Sequence, residues 1–155
     1  MRRAVFCAIV ALSAAFSDLA AQELGAGATV SVRGYRLQLK TQEGRCVVAY
    51  NRGERQGALK LELPPPCHFV YNEKGTVQSY FYKDIGNATV LLVVGGPIDK
   101  RRTDKLMQEG CGTQAQAILL RRRDVSTTKE IARGGVFCPS GGVERKLFSV
   151  LAHSK

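Results

Sequence analysis

From Thr29 onward, apolar and polar residues alternate with a period of two along much of the chain, the pattern of strands with one buried and one wet face. Val30 and Val32 alternate with Ser31 and Arg33. After Gly34 the parity changes, and Tyr35, Leu37 and Leu39 carry the apolar face. One inserted residue would reset the face in this way, which predicts a β-bulge or bend near Gly34. Cys46, Val48 and Tyr50 share a face, and Leu59, Leu61 and Leu63 alternate cleanly with Lys60 and Glu62. Pro64-Pro65-Pro66 ends that strand, because proline fixes φ and offers no N–H to a ladder. Beyond it, Cys67, Phe69 and Tyr71 lie on one face with His68 opposite.

A strand over Val77–Lys83, a turn at Gly86-Asn87 and a strand over Ala88–Val94 predict a hairpin. The run Val90 to Val94 is continuously apolar, which places it at the centre of a sheet, covered on both faces. Gly95-Gly96-Pro97 interrupts the pattern. Asp99–Glu109 then predicts the one helix, started by Asp99 and stopped by Gly110. Strand character returns at Thr113–Arg121, where Ala115, Ala117 and Leu119 oppose Gln114, Gln116, Ile118 and Leu120. Asp124–Glu130 is polar and predicts a loop. Val136–Cys138 and Lys146–Ala152 predict two further strands. Together these elements predict an all-β fold, a single small sandwich or open barrel of about eight short strands with one short helix.

The start of the chain reads differently. Met1-Arg2-Arg3 precedes an apolar run from Ala4 to Phe16, and small residues follow at Ala20-Ala21. A charged start, a short apolar centre and a small-residue end predict a cleavable secretory signal over residues 1–21. Residues 22–28 form a Gly-rich lead-in, and residues 29–153 a single β-domain. The leader is too short to span a bilayer, which takes about 20 apolar residues, and no later segment is longer. The Ala-rich leader points to a bacterial protein of the periplasm or the cell exterior.

Cys7 would leave with the leader, and Cys46, Cys67, Cys111 and Cys138 remain. An even number of cysteines in an oxidising compartment predicts disulfides. Cys46–Cys67 and Cys111–Cys138 are favoured because each encloses a short local stretch. The other connectivities stay open on sequence alone. No C-x-x-C occurs and neither histidine stands at a zinc spacing, so neither a metal nor another cofactor is expected.

The formal net charge is +10, of which one unit leaves with the leader. Such a surplus favours acidic partners. Arg101, Arg102 and Lys105 share one connection, and Arg121-Arg122-Arg123 ends the next strand, so both groups are expected at one end of the sheet. Arginine suits bidentate contact with carboxylate or phosphate. Tyr80 and Tyr82 share a face opposite Phe81 and are candidate interface anchors. The connections Gly95–Gly110 and Arg121–Gly135 are the expected contact regions. Nucleic acid is a poor candidate: it wants exposed aromatics beside the basic patch, and export removes the chain from it.

Catalytic signatures are sparse. The histidines are His68 and His153. Ser140, in Cys138-Pro139-Ser140-Gly141-Gly142, lacks the G-x-S-x-G elbow. Glu43, Glu54, Glu62, Glu73, Asp84 and Asp104 fall beside turns or on wet faces, away from apolar stretches that would raise a carboxyl pKa. The sequence therefore predicts a non-enzyme: an exported, disulfide-stapled β binding protein, a stoichiometric inhibitor or immunity-type protein that occludes an acidic partner protein. The alternative is an envelope module that binds anionic lipid or polysaccharide through its basic patch.

Overall fold

The computed structural model describes residues 27–98 and 110–154. The leader, residues 22–26, and the helix expected at Asp99–Glu109 with Arg101, Arg102 and Lys105 lie outside the described residues. The described part comprises β1 (Thr29–Val32), β2 (Tyr35–Gln42), β3 (Arg45–Arg52), β4 (Arg55–Lys60), β5 (His68–Phe69), β6 (Ser79–Tyr82), β7 (Ala88–Gly95), β8 (Gly112–Leu120), β9 (Val125–Phe137) and a helix, α1 (Arg145–Ala152). The fold is all-β, built from two antiparallel sheets. One runs β1-β2-β3-β4, and the other runs β5-β7-β8-β9 with β6 also paired to β7.

Tight turns make the first sheet a meander. Arg33 and Gly34 have φ of 51° and 79°, and Glu43 and Gly44 have 52° and 72°. Two successive left-handed residues are the mark of the two-residue hairpin whose twist matches that of its strands. Val32 pairs with Tyr35 across the first of these turns. Paired residues point to the same face, so the change of parity at Gly34 is a reflection through a hairpin turn. The bulge expected there is corrected.

The two sheets close over one core. Tyr35, Leu37, Leu39, Cys46, Val48, Leu61 and Leu63 meet Phe69, Leu91, Val93, Ile118 and Leu120 from the opposite sheet. A second core lies on the other face of the second sheet, where Val90, Leu92, Val94, Ala115, Ala117 and Leu119 pack on Phe148, Leu151 and Ala152 of α1. Every residue of β7 is buried, because one of its faces looks into the sandwich and the other at the helix. The central, doubly covered strand read from Val90–Val94 is therefore present.

The strand expected over Leu59–Leu63 ends at Lys60 in β4, although Leu61 and Leu63 are buried as its alternation implied, and two further elements differ from the sequence reading. Lys146–Ala152, expected as a strand, lies in α1: its buried residues Phe148, Leu151 and Ala152 follow a spacing of three to four, the period of a helix face. Asp124–Glu130, expected as a loop, mostly belongs to the long strand β9. The β8–β9 register shifts twice, between Gly112 and Gln114 and between Gln116 and Ile118. Each shift leaves extra residues on β9 and destroys the period of two. At the second, Thr128 turns inward, and its Oγ1 accepts from the Ala117 N–H at 3.2 Å. Beside it the buried Gln116 amide donates to the Thr128 carbonyl at 2.6 Å and accepts from the Glu62 N–H at 2.9 Å. That side chain joins the two sheets with its polar atoms satisfied.

Both favoured disulfides are formed, Cys46–Cys67 and Cys111–Cys138. The first links β3 to the segment entering β5, and so ties one sheet to the other. The second fastens the start of β8 to the chain leaving β9. No helix among the described residues is long and apolar enough to cross a membrane.

Candidate functional site: an arginine cleft at the turn end of the sandwich

The turns β1–β2, β3–β4, β6–β7 and β8–β9 gather at one end of the sandwich, and with them gathers positive charge. Arg52 and Arg55 are paired across the Gly53-Glu54 turn. The β8–β9 turn is closed by the Arg121 N–H donating to the Asp124 carbonyl at 2.8 Å, which leaves Arg122 and Arg123 at its tip. Arg52 and Arg55 each donate from Nη1 to the Arg122 carbonyl, at 3.4 and 3.1 Å. Arg52, Arg55, Arg122 and Arg123 thus line an open cleft of about 370 Å³.

Several contacts hold this arrangement. The Arg52 guanidinium stacks over the Tyr35 ring, 4.9 Å from its centroid. Tyr35 is buried and donates its hydroxyl to the Arg121 carbonyl at 2.7 Å. A stacked guanidinium keeps its in-plane N–H groups available while losing little further freedom on binding. Farther along the same end, Arg33 stands over Phe81 at 4.6 Å, and Phe81 is one of the few large apolar side chains left exposed among the described residues.

The three arginines of the expected cluster divide by role. Arg121 is a clamp: its Nε donates to the Ile85 carbonyl at 3.1 Å, and its Nη1 contacts Asp124 at 3.2 Å and Ser126 at 2.9 Å. It fastens the β6–β7 turn to the β8–β9 turn. Arg122 and Arg123 are exposed, and neither they nor Arg52 and Arg55 form an ion pair with a carboxylate among the described residues. Glu54 occupies the same hairpin turn without pairing to its neighbours, and Asp124 is engaged by Arg121.

Arg52 and Arg55 were not singled out from the sequence. Their only local signal is a pair of like charges flanking a tight glycine turn. Their partners lie some 70 residues downstream, at separations of 70 and 67.

Tyr80 and Tyr82 are not presented on an open face. Tyr80 packs edge-on against Phe148 of α1 at 4.8 Å between ring centroids. Tyr82 is buried in the same layer and meets the His153 ring at 5.6 Å. The parity that grouped the two tyrosines is right, but the helix that covers them is the segment read as a strand. The expected contact region Arg121–Gly135 is likewise a tight turn followed by β9, and Gly95–Gly110 lies mostly outside the described residues.

The opposite end of the sandwich holds a second cavity of about 610 Å³, lined by His68, Phe69, Tyr71, Pro139 and Ser140 among others. It brings together His68 and Ser140, the two groups weighed separately as catalytic candidates. Burial lowers the His68 pKa, so the imidazole is neutral at neutral pH. No hydrogen bond joins His68 to Ser140 in the structure. His153, the other histidine, lies at the end of α1, bonds to Asp84 at 2.7 Å and does not line this cavity. No group of three His, Cys, Asp or Glu side chains that could hold a metal ion occurs among the described residues. Comparison of the chain with protein-family models, with curated proteins and with solved structures finds no match.

Proposed function

We propose that this chain is an exported, non-catalytic binding protein that grips an acidic partner protein stoichiometrically by its arginine end and occludes it, as an inhibitor or immunity-type protein does. The observation that carries the reading is the convergence of Arg52, Arg55, Arg122 and Arg123 on one cleft without carboxylate partners among the described residues. Grouping like charges on a small scaffold raises its self-energy, and an acidic surface docked against it relieves that cost. The leader over residues 1–21 and the two disulfides support export to the periplasm or beyond the cell.

The test is binding of the leaderless chain to acidic proteins of an envelope extract, with stoichiometry read by light scattering and affinity by calorimetry. The Arg52→Gln/Arg55→Gln/Arg122→Gln/Arg123→Gln variant should bind at least about tenfold more weakly, since charge-assisted contacts are lost. Undiminished 1:1 binding by that variant would overturn the reading. The same cleft supports a second one, an envelope module for anionic lipid or polysaccharide. Retention by anionic vesicles that falls steeply at moderate salt, with no acidic protein bound, would favour it. A turnover abolished by Ser140→Ala or His68→Ala would remove the non-catalytic part of the proposal.

A further inference from the structure

We infer that the arginine cleft seats one tetrahedral dianion, a phosphate group carried as free inorganic phosphate or as a phosphate monoester. This goes beyond the reading given above: it uses the same cleft but stands or falls separately. The argument begins with the donors. Two guanidinium forks, from Arg52 and Arg55, are aimed at a single carbonyl oxygen, that of Arg122, and this fixes them side by side. Each spends one N–H there and keeps the remainder of its five donors. Arg122 and Arg123, on the facing turn, line the same cleft and add two further positive charges to it. The backbone beneath them is braced by the Arg121 clamp to Ile85, Asp124 and Ser126.

The number of charges selects the ligand. A carboxylate offers two oxygens and one negative charge, and a single bidentate guanidinium saturates it. Four arginines lining one cleft would still carry a large excess of charge. A phosphate monoester offers three terminal oxygens and a charge of about −1.5 to −2 near neutral pH, which matches a convergent set of forks. Among the described residues, the carboxylates near the cleft do not serve in its place: Asp124 is held by Arg121, and Glu54 sits in the hairpin turn without pairing to Arg52 or Arg55. The cleft, at about 370 Å³, has room for the group and for the first atoms of whatever bears it.

Titration of the leaderless chain with inorganic phosphate, with ionic strength held constant by chloride, tests this. Saturable binding at one site per chain is expected, tightening as pH rises through the second ionisation of phosphate, and acetate should give no saturation. Arg55→Lys/Arg123→Lys keeps the charge but removes the forks, and should weaken phosphate about tenfold. Lys60→Gln, a basic residue away from the cleft, should leave it unchanged. Circular dichroism checks that the variants stay folded. Vesicles containing phosphatidic acid separate the sources: retention of the chain by them without response to free phosphate assigns a lipid headgroup, and response to free phosphate assigns the soluble ion. Absence of saturation in both arms, or equal weakening by Lys60→Gln, overturns the inference. Phosphate binding without any acidic protein partner would discard the partner reading alone. Partner binding without phosphate or vesicle binding would discard the dianion alone.

Discussion

Tyr82 carries its hydroxyl into the layer beneath α1, where the oxygen is buried without a hydrogen-bond partner among the described residues. A buried polar atom left unpaired costs about 1–3 kcal/mol relative to its solvated state. Tyr82→Phe keeps the ring that meets His153 and removes the orphan oxygen. It should therefore stabilise the fold by about 1 kcal/mol in urea unfolding, and leave partner binding unchanged. Destabilisation would show that the hydroxyl is satisfied in solution, and loss of binding would restore Tyr82 as an interface anchor. Tyr82 and Arg121 both belong to the partner-binding set expected from sequence; Tyr82 is buried, and Arg121, partly exposed, is tied down by its contacts to Ile85, Asp124 and Ser126. Arg122 and Arg123, one and two positions on, are exposed. Position at a turn tip separates them, and side-chain type does not.

Among the elements, α1 is attached to the β6–β7 turn by one polar clasp. The His153 Nδ1 lies 2.7 Å from the Ser149 carbonyl and its Nε2 lies 2.7 Å from Asp84. Both neighbours are acceptors, so the ring can donate to both only as imidazolium. The Asp84 bond, then the Ser149 carbonyl, raise the His153 pKa above 6.5. The His153 bond, then hydrogen bonds of its own turn, lower the Asp84 pKa below 3.8. A raised histidine contributes stability that is full below pH 6.5 and is lost as pH rises through the folded value. A lowered aspartate contributes above pH 3.8 and loses that contribution as pH falls through its folded value. The clasp should thus be closed between these limits and loosen outside them. Thermal unfolding of wild type and His153→Ala across pH 4 to 9 tests this: the difference in Tm should be largest near pH 5 and shrink above neutrality. A difference independent of pH would mean that His153 acts by packing on Tyr82 alone. Both side chains are largely exposed, so salt should diminish the effect.

At the scale of the whole molecule, the Cys46–Cys67 bond joins the two sheets across a separation of 21 residues. Closing a loop of that length restricts the unfolded chain by about 3 kcal/mol. Cys46→Ala/Cys67→Ala should lower the unfolding free energy by about that amount, since the sandwich core is otherwise kept. A loss below about 1 kcal/mol would mean that the sheet-to-sheet packing alone sets the unfolded and folded ensembles apart. Local pattern and covalent chemistry determined much of this molecule. A period of two marked the strands carrying Leu37, Leu39 and Leu59. An unbroken apolar run marked β7 as central, and the cysteine spacing favoured the bonds that form. Those signals are legible because each depends on neighbours a few residues away. Pairing across the fold is not local. The two bulges of β9 erased its alternation, and only the register with β8 shows Ser126 to Glu130 as strand. The apolar positions of α1 were read at period two until the second sheet supplied the face that a helix covers. The arginine cleft depends most on tertiary structure: two hairpin tips, remote along the chain, become one cationic surface because the sheets stack face to face with their turns at the same end.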